Sequence, residues 1–243
     1  MLTARIRLND YPMTSKNLTT QCFGCKLKSK SIFTAVEHQA LEKARFVPEV
    51  VSYPPNSSIL SASANDAIFT VRKGTVKMQR AMPDGNKRIT SLLKSGDTLG
   101  LRAWQTGEYD FDAIALGDVE LCRIPHRELN RIRKYTTALE KTVISRLCKE
   151  GELAEIWITH FSSGSVNQRL ANLLLFLATH QDETNSKTVK LLSRDDMASI
   201  LGVRQESVSR AVTQFKAEGL IVVKSRGEHT LNLPALRKQS KQK

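Results

Sequence analysis

Hydrophobic positions along this chain fall into two regimes of different period. Between residues 46 and 125 they come as short β-branched runs, VVSY, AIFTVRKG, TVKMQRA, RITSLL and VELCRIP. Turn signals separate the runs, at Pro54-Pro55, Lys73-Gly74, Asp84-Gly85 and Gly96-Asp97. Alternation with period two, bounded by Gly, Pro and Asp, is the pattern of strands with one buried face. Many such strands at close spacing predict a sandwich or roll. Asp84-Gly85 between two alternating runs predicts a hairpin. From residue 131 the spacing changes to three and four. Leu139, Val143, Leu147, Ile156 and Trp157 predict a long helix over 131–161. Gly151 weakens its middle by about 1 kcal/mol relative to alanine. The small residues of 162–165 read as a hinge, 166–180 as a strongly apolar helix, and 181–187 as a polar loop.

Residues 193–219, SRDDMASILGVRQESVSRAVTQFKAEG, carry the densest set of signals. Ser193 is a good N-cap, and Asp195 and Asp196 place negative charge in the first helical turn. Met197, Ile200 and Leu201 recur at helical spacing, and Gly202 suits the positive φ that ends a helix. A second helix opens near Arg204, with Val208, Val212 and Phe215 on its buried side. Small Ala198 and Gly202 let the two helices cross closely around a short turn. This is the pattern of a helix-turn-helix, whose second helix enters the major groove. The opposite face of that helix shows Arg204, Gln205, Glu206, Ser209 and Arg210. Arginine reads guanine bidentately, glutamate accepts from cytosine, and serine serves either base type. Downstream, 220–223 and 230–233 flank Ser225-Arg226-Gly227-Glu228, a hairpin wing with Lys224 and Arg226 placed to meet phosphates. The tail LRKQSKQK reads as a disordered basic extension.

Composition sharpens this picture. The 243 residues suffice for two domains, and their formal charge of +13 favours a polyanionic partner. No apolar run is long enough to span a membrane, and no export signal is seen at the N-terminus. The expected location is therefore cytoplasmic. Four cysteines in such a chain argue for metal or redox chemistry rather than a disulfide framework. Residues 1–34 form a basic arm, polar over the first 20 and expected to be poorly ordered, then carrying Cys22-Phe23-Gly24-Cys25. Two thiols so spaced can ligate one metal or cluster, or close a redox disulfide. Scattered histidines and no nucleophile–base or paired-carboxylate pattern speak against an enzyme.

A β-roll with GDTLG near its end, a long helix and a winged helix-turn-helix together resemble the CRP/FNR family of bacterial transcription regulators. The fold class expected is α+β, with a double-stranded roll of the cyclic-nucleotide-binding type over 35–130, a dimerisation helix over 131–162 and a reader over 163–243. QESVSR resembles the FNR branch, whose recognition helix carries Glu-x-x-Ser-Arg. That resemblance implies base contacts from Glu206, Ser209 and Arg210, an FNR-like inverted repeat of TTGAT, a homodimer on double-stranded DNA, and RNA polymerase as partner.

The resemblance also bears on the signal. Cyclic-nucleotide receptors of the family hold ligand with a Glu after the Gly of this turn and with a later Arg-Ser pair. Here Leu101 follows Gly100, and the later stretch is Glu108-Tyr109-Asp110-Phe111-Asp112. A phosphate beside uncompensated carboxylates is unfavourable, so cyclic AMP is not expected. FNR-branch members hold a [4Fe–4S] cluster on three arm cysteines and one roll cysteine. Cys22, Cys25 and Cys122 match three of these positions, whereas Ser31 stands at the fourth. A cluster or a thiol switch at these cysteines is the leading expectation, with Cys148 read as a small buried hydrophobe. One alternative is a haem-based gas sensor using His126 or His160. Another is a nucleic-acid-binding or scaffold protein with a degenerate roll.

Overall fold

The computed structural model describes residues 25–60, 66–180, 187–225 and 227–241; Cys22 of the arm and Arg226 of the wing lie outside them. After the short helix α1 (His38–Lys43), the β-branched runs become the strands β1 (Glu49–Tyr53), β2 (Ser58–Leu60), β3 (Ala67–Lys73), β4 (Val76–Ala81), β5 (Lys87–Leu93) and β6 (Thr98–Leu99). Helix α2 (Leu101–Thr106) follows, then β7 (Asp112–Ala115) and β8 (Val119–Pro125). They form two four-stranded sheets, β1-β8-β3-β6 and β2-β7-β4-β5, with antiparallel neighbours throughout.

The period of two decides what each strand covers. Phe69 and Val71 of β3 and Leu121 of β8 point into the roll with Val76, Leu99 and Ala113. Their neighbours Ile68 and Ile124 point outward into a second core. That outer core is completed by Ile32, Phe33, Val36 and Leu41, so residues 31–41 lie against the roll's outer face. The Asp84-Gly85 hairpin forms between β4 and β5. Met82 donates to the Asn86 carbonyl at 2.7 Å, and Gly85 takes φ +81°.

The helix expected over 131–161 is shorter and differently bounded. Helix α3 (His126–Ile132) ends first, and α4 begins only at Ala138, running to Ile156. Thr136 Oγ1 accepts from the Ala138 amide at 3.1 Å, so a hydroxyl and two β-branched residues turn the chain between them. Beyond Ile156, a single π-helical turn over Trp157–Phe161 brings both aromatic rings to one side. They meet each other at 5.2 Å between centroids and Phe176 at 6.2 and 5.6 Å, edge-on in every pair. Only Leu139, Thr142 and Val143 of α4 are buried, while Ile144 is 62% exposed and Ile158, just beyond, 64%.

The reader comprises α5 (Val166–His180), β9 (Thr188–Lys190), α6 (Arg194–Leu201), α7 (Gln205–Ala217), β10 (Ile221–Ser225), β11 (Glu228–Leu231) and α8 (Leu233–Lys241). The wing is a three-stranded sheet, β10-β11-β9, rather than a hairpin alone. The tail also departs from expectation, because most of it is helical. Asn232 Oδ1 accepts from the Ala235 amide, Pro234 sits in the first turn, and Leu236 is fully buried. The basic run 237–241 masks these start signals in the sequence.

Candidate nucleic-acid interface and sensor pocket

The helix-turn-helix is built from local chemistry. Ser193 Oγ accepts from the Asp196 amide at 3.0 Å and so caps α6. Gly202 ends that helix in the left-handed region, with φ +63°. Arg204 is the N-cap of α7 in extended backbone. Val208, Ala211, Val212 and Phe215 are buried against α5 and α6 in the reader's core. That leaves Arg204, Gln205, Glu206 and Arg210 exposed and Ser209 partly so, all on the face away from the core. Glu206 lies in the first turn of α7, where negative charge suits the dipole. Lys224 is exposed near the end of β10. The structure thus brings five of the predicted contact residues together on one helix, with Lys224 on the wing.

The turn where the family resemblance would place a nucleotide is packed with the protein's own side chains. Leu101 is 1% exposed and joins the outer core. Gly100 has φ +89°, and a side-chain carbon there would sit 2.9 Å from the Tyr109 ring. Tyr109 donates its hydroxyl to the Ala67 carbonyl, and burial pushes its pKa up to about 12. Phe111 packs edge-on against it at 5.7 Å, so the two rings fill the roll's interior. Asp110 is bridged by Arg80 and Arg102, each at 2.6 Å. Burial raises its carboxyl, but the two guanidinium groups outweigh that and hold it below its ordinary value. Asp110 is therefore compensated, contrary to expectation, because both arginines fold back onto it, and Asp112 has Lys87 at 3.7 Å.

A pocket lies between the arm and the outer face of the roll. Cys25, Ser31 and Cys122 line it with Arg72, Phe33 and Ile124. Register explains the meeting: Cys122 pairs with Thr70 across β8 and β3, and its outward side chain faces the arm. Burial pushes the Cys122 thiol up, and Arg72 Nη1, 3.9 Å from the sulfur, offsets part of that rise. Ser31 is 7% exposed and already engaged. Its hydroxyl donates to the Lys28 carbonyl at 3.0 Å and accepts from the Phe33 amide at 3.2 Å.

The described residues bring two thiols, not four, to the pocket. Among the described residues no three His, Cys, Asp or Glu side chains converge on a metal position. Among the described residues Cys25 and Cys122 face the pocket, and the Ser31 oxygen is spent on the backbone. Cys148 is exposed on α4, correcting its expected burial, and does not line the pocket. His126 and His160 do not line it either. The His126 ring has a buried, unpartnered Nε2, and burial lowers its pKa; His160 is exposed in the π-helical turn. Arg72 carries no signal in the sequence, since only the β3–β8 register sets it beside Cys122.

Comparison with known proteins agrees with this geometry. Residues 50–135 match the cyclic nucleotide-binding domain model, and residues 168–239 match the Crp-like helix-turn-helix domain model. A probable transcriptional activator of Rhizobium leguminosarum bv. viciae is 27% identical over 170 residues, 69% of this chain and 70% of that one. The transcriptional activator protein FnrL of Cereibacter sphaeroides is 22% identical over 214 residues, 85% and 86% of the two chains. In fold, the chain is similar to the solved structure of FixK2 from Bradyrhizobium japonicum, with TM-score 0.71 at 21% identity, covering 82% of this chain and all of that one. No helix among the described residues is long and apolar enough to cross a membrane. The roll, the helix-turn-helix and these relatives together place the chain in the CRP/FNR family of bacterial transcription regulators, which are not enzymes.

Proposed function

We propose that this regulator acts as a homodimer on an inverted-repeat DNA site, with its output set by the oxidation state of the arm and roll thiols. The base-reading groups are Glu206, Ser209 and Arg210, flanked by Arg204 and Gln205, with Lys224 and Arg226 on phosphates. The dimer seam is the uncovered apolar face of α4 and the turn after it, around Ile144 and Ile158. RNA polymerase is the partner that reads the outcome at promoters, as the family resemblance implies. Leu101, Tyr109 and Phe111 leave the roll without the groups a cyclic nucleotide needs.

One observation carries the signal: Cys25 and Cys122 share a pocket beneath an arm that also touches the seam helix. Arg146 of α4 donates to the Lys30 carbonyl, and Ile32 and Phe33 share a core with Leu139 and Val143. Oxidising the two thiols to a disulfide releases two protons and passes two electrons to a peroxide or disulfide oxidant. Burial raises the Cys122 thiol and so lowers its thiolate fraction, which slows its oxidation relative to an exposed cysteine. The reordered arm then favours one arrangement of α4 over another. Cys122→Ser and Cys25→Ser should each abolish the change in DNA affinity between reduced and peroxide-treated protein, while Cys148→Ser leaves it intact. If both variants respond to oxidant as the parent does, the thiol reading is wrong. Iron and sulfide found in anaerobically purified parent protein would replace it with a cluster.

A further inference from the structure

The reader is bolted to the roll at one strand edge. β5 is the outer strand of its sheet, so its free side presents unpaired backbone groups. Ser199 of α6 meets that edge with a single hydroxyl. The Ile89 amide donates to Ser199 Oγ at 2.9 Å, and the hydroxyl donates to the Lys87 carbonyl at 2.7 Å. The register slips between Met78 and Gln79, leaving Thr90 as the extra residue of a bulge next to this contact.

Two further contacts act on the same helix. Lys77 of β4 pairs with the Asp196 carboxylate, and both side chains are about 15% exposed. Arg88 lies over Gly202 so closely that a side-chain carbon there would collide with Nη1, and it also donates to Ser162 Oγ at 2.9 Å. Beneath them, Ile89 and Leu92 of β5 are buried within the reader's own core. The helix before the recognition helix is therefore fixed to the roll, not merely tethered through the hinge at 162–165.

We infer that Ser199, with Arg88 beside it, is a positioning residue that sets which spacing between DNA half-sites the dimer accepts. The inference rests on the two-fold dimer proposed above. In such a dimer the distance and angle between the two recognition helices follow from how each reader sits on its own roll. Adding one base pair between half-sites moves the second by about 3.4 Å and turns it by about 35°. A reader held at the β5 edge cannot follow that screw motion. A reader released from it swings on the hinge, where Gly164 already takes φ +88°, and follows at an entropic cost. Ser199 touches no base, so the preferred half-site sequence stays the same.

The test uses full-length protein and inverted repeats of the half-site recovered by random-site selection, with the central spacer changed by one or two base pairs. The parent should favour one spacing over its neighbours by about tenfold or more. Ser199→Ala should bind that optimum more weakly but the neighbouring spacings no worse, bringing the ratio to about threefold or less. Ser199→Thr, which keeps the hydroxyl, should restore the parent's profile. Arg88→Ala, which leaves α6 unaltered, should flatten the profile in the same direction. An unchanged profile in both Ser199→Ala and Arg88→Ala overturns the inference. So does tighter binding by Ser199→Ala at every spacing, because the contact would then oppose DNA binding. A parent protein indifferent to spacing would instead sink the dimer reading itself.

Discussion

Replacing Ser31 tests whether the pocket's oxygen belongs to the backbone or is free for a ligand. Ser31 is 7% exposed, and its hydroxyl sits between the Phe33 amide and the Lys28 carbonyl. Ser31→Ala leaves a buried N–H without its acceptor, which costs about 1–3 kcal/mol. The carbonyl loses less, because the Ser31 amide also donates to it, at 3.1 Å. Ser31→Cys should cost a similar amount, since sulfur is a weak acceptor in place of oxygen. The loss falls on the segment that places Ile32 and Phe33 in the outer core, so it is felt by the arm and the roll together. In urea, under reductant, the midpoint of the roll transition should drop by about 0.5–1 M. Hydrogen exchange at the Phe33 amide should quicken by about five- to a hundredfold, the same free energy read locally. If both variants unfold and exchange like the parent, the hydroxyl is not committed to the backbone. It would then be available as a ligand, and the case against a four-ligand cluster would lose its main support.

The remaining predictions concern the reader and its junction with the roll. Arg210→Ala should lower affinity for the preferred site by about 1–3 kcal/mol and relax its sequence preference. Lys224→Ala should weaken binding to all DNA alike and reduce the salt slope by about one; salt-titrated binding that reverses the two patterns refutes the assignment. Burial, with Lys94 nearby, pushes His180 down to about 4, and its ring stacks on Phe176 at 4.8 Å with a buried, unpartnered Nε2. The unfolded chain takes the proton first, so this contribution is complete above about pH 6.5 and lost as pH falls towards 4, reaching about 2 kcal/mol at pH 5. His180→Phe keeps the stacked ring without the titration and should remove that share of the acid sensitivity, read as urea midpoints at pH 7 and pH 5.

What the sequence showed depended on how far apart the deciding residues lie. The α6–α7 unit was readable because its cap at Ser193, its stop at Gly202 and its buried Val208, Val212 and Phe215 all fall within one short stretch. The strands were readable for the same reason, each carrying its alternation within a few residues. The break before α4 is hidden in the sequence although Thr136 and Thr137 are local, because Ile132 and Leu139 keep a helical spacing across it. The terminal helix is hidden in the sequence because its charge outweighs a modest cap at Asn232. Contacts that define the sites belong to another class. Arg72 reaches Cys122 across 50 positions, and Ser199 reaches Ile89 across 110. In sequence, Ser199 is a small polar residue inside a helix, a place where serine is mildly unfavourable because its hydroxyl competes for backbone partners. That competition is what the fold uses, since the backbone groups it satisfies belong to an edge strand of the other domain. A residue mildly unfavourable for its own helix is thus among those that join reader to roll.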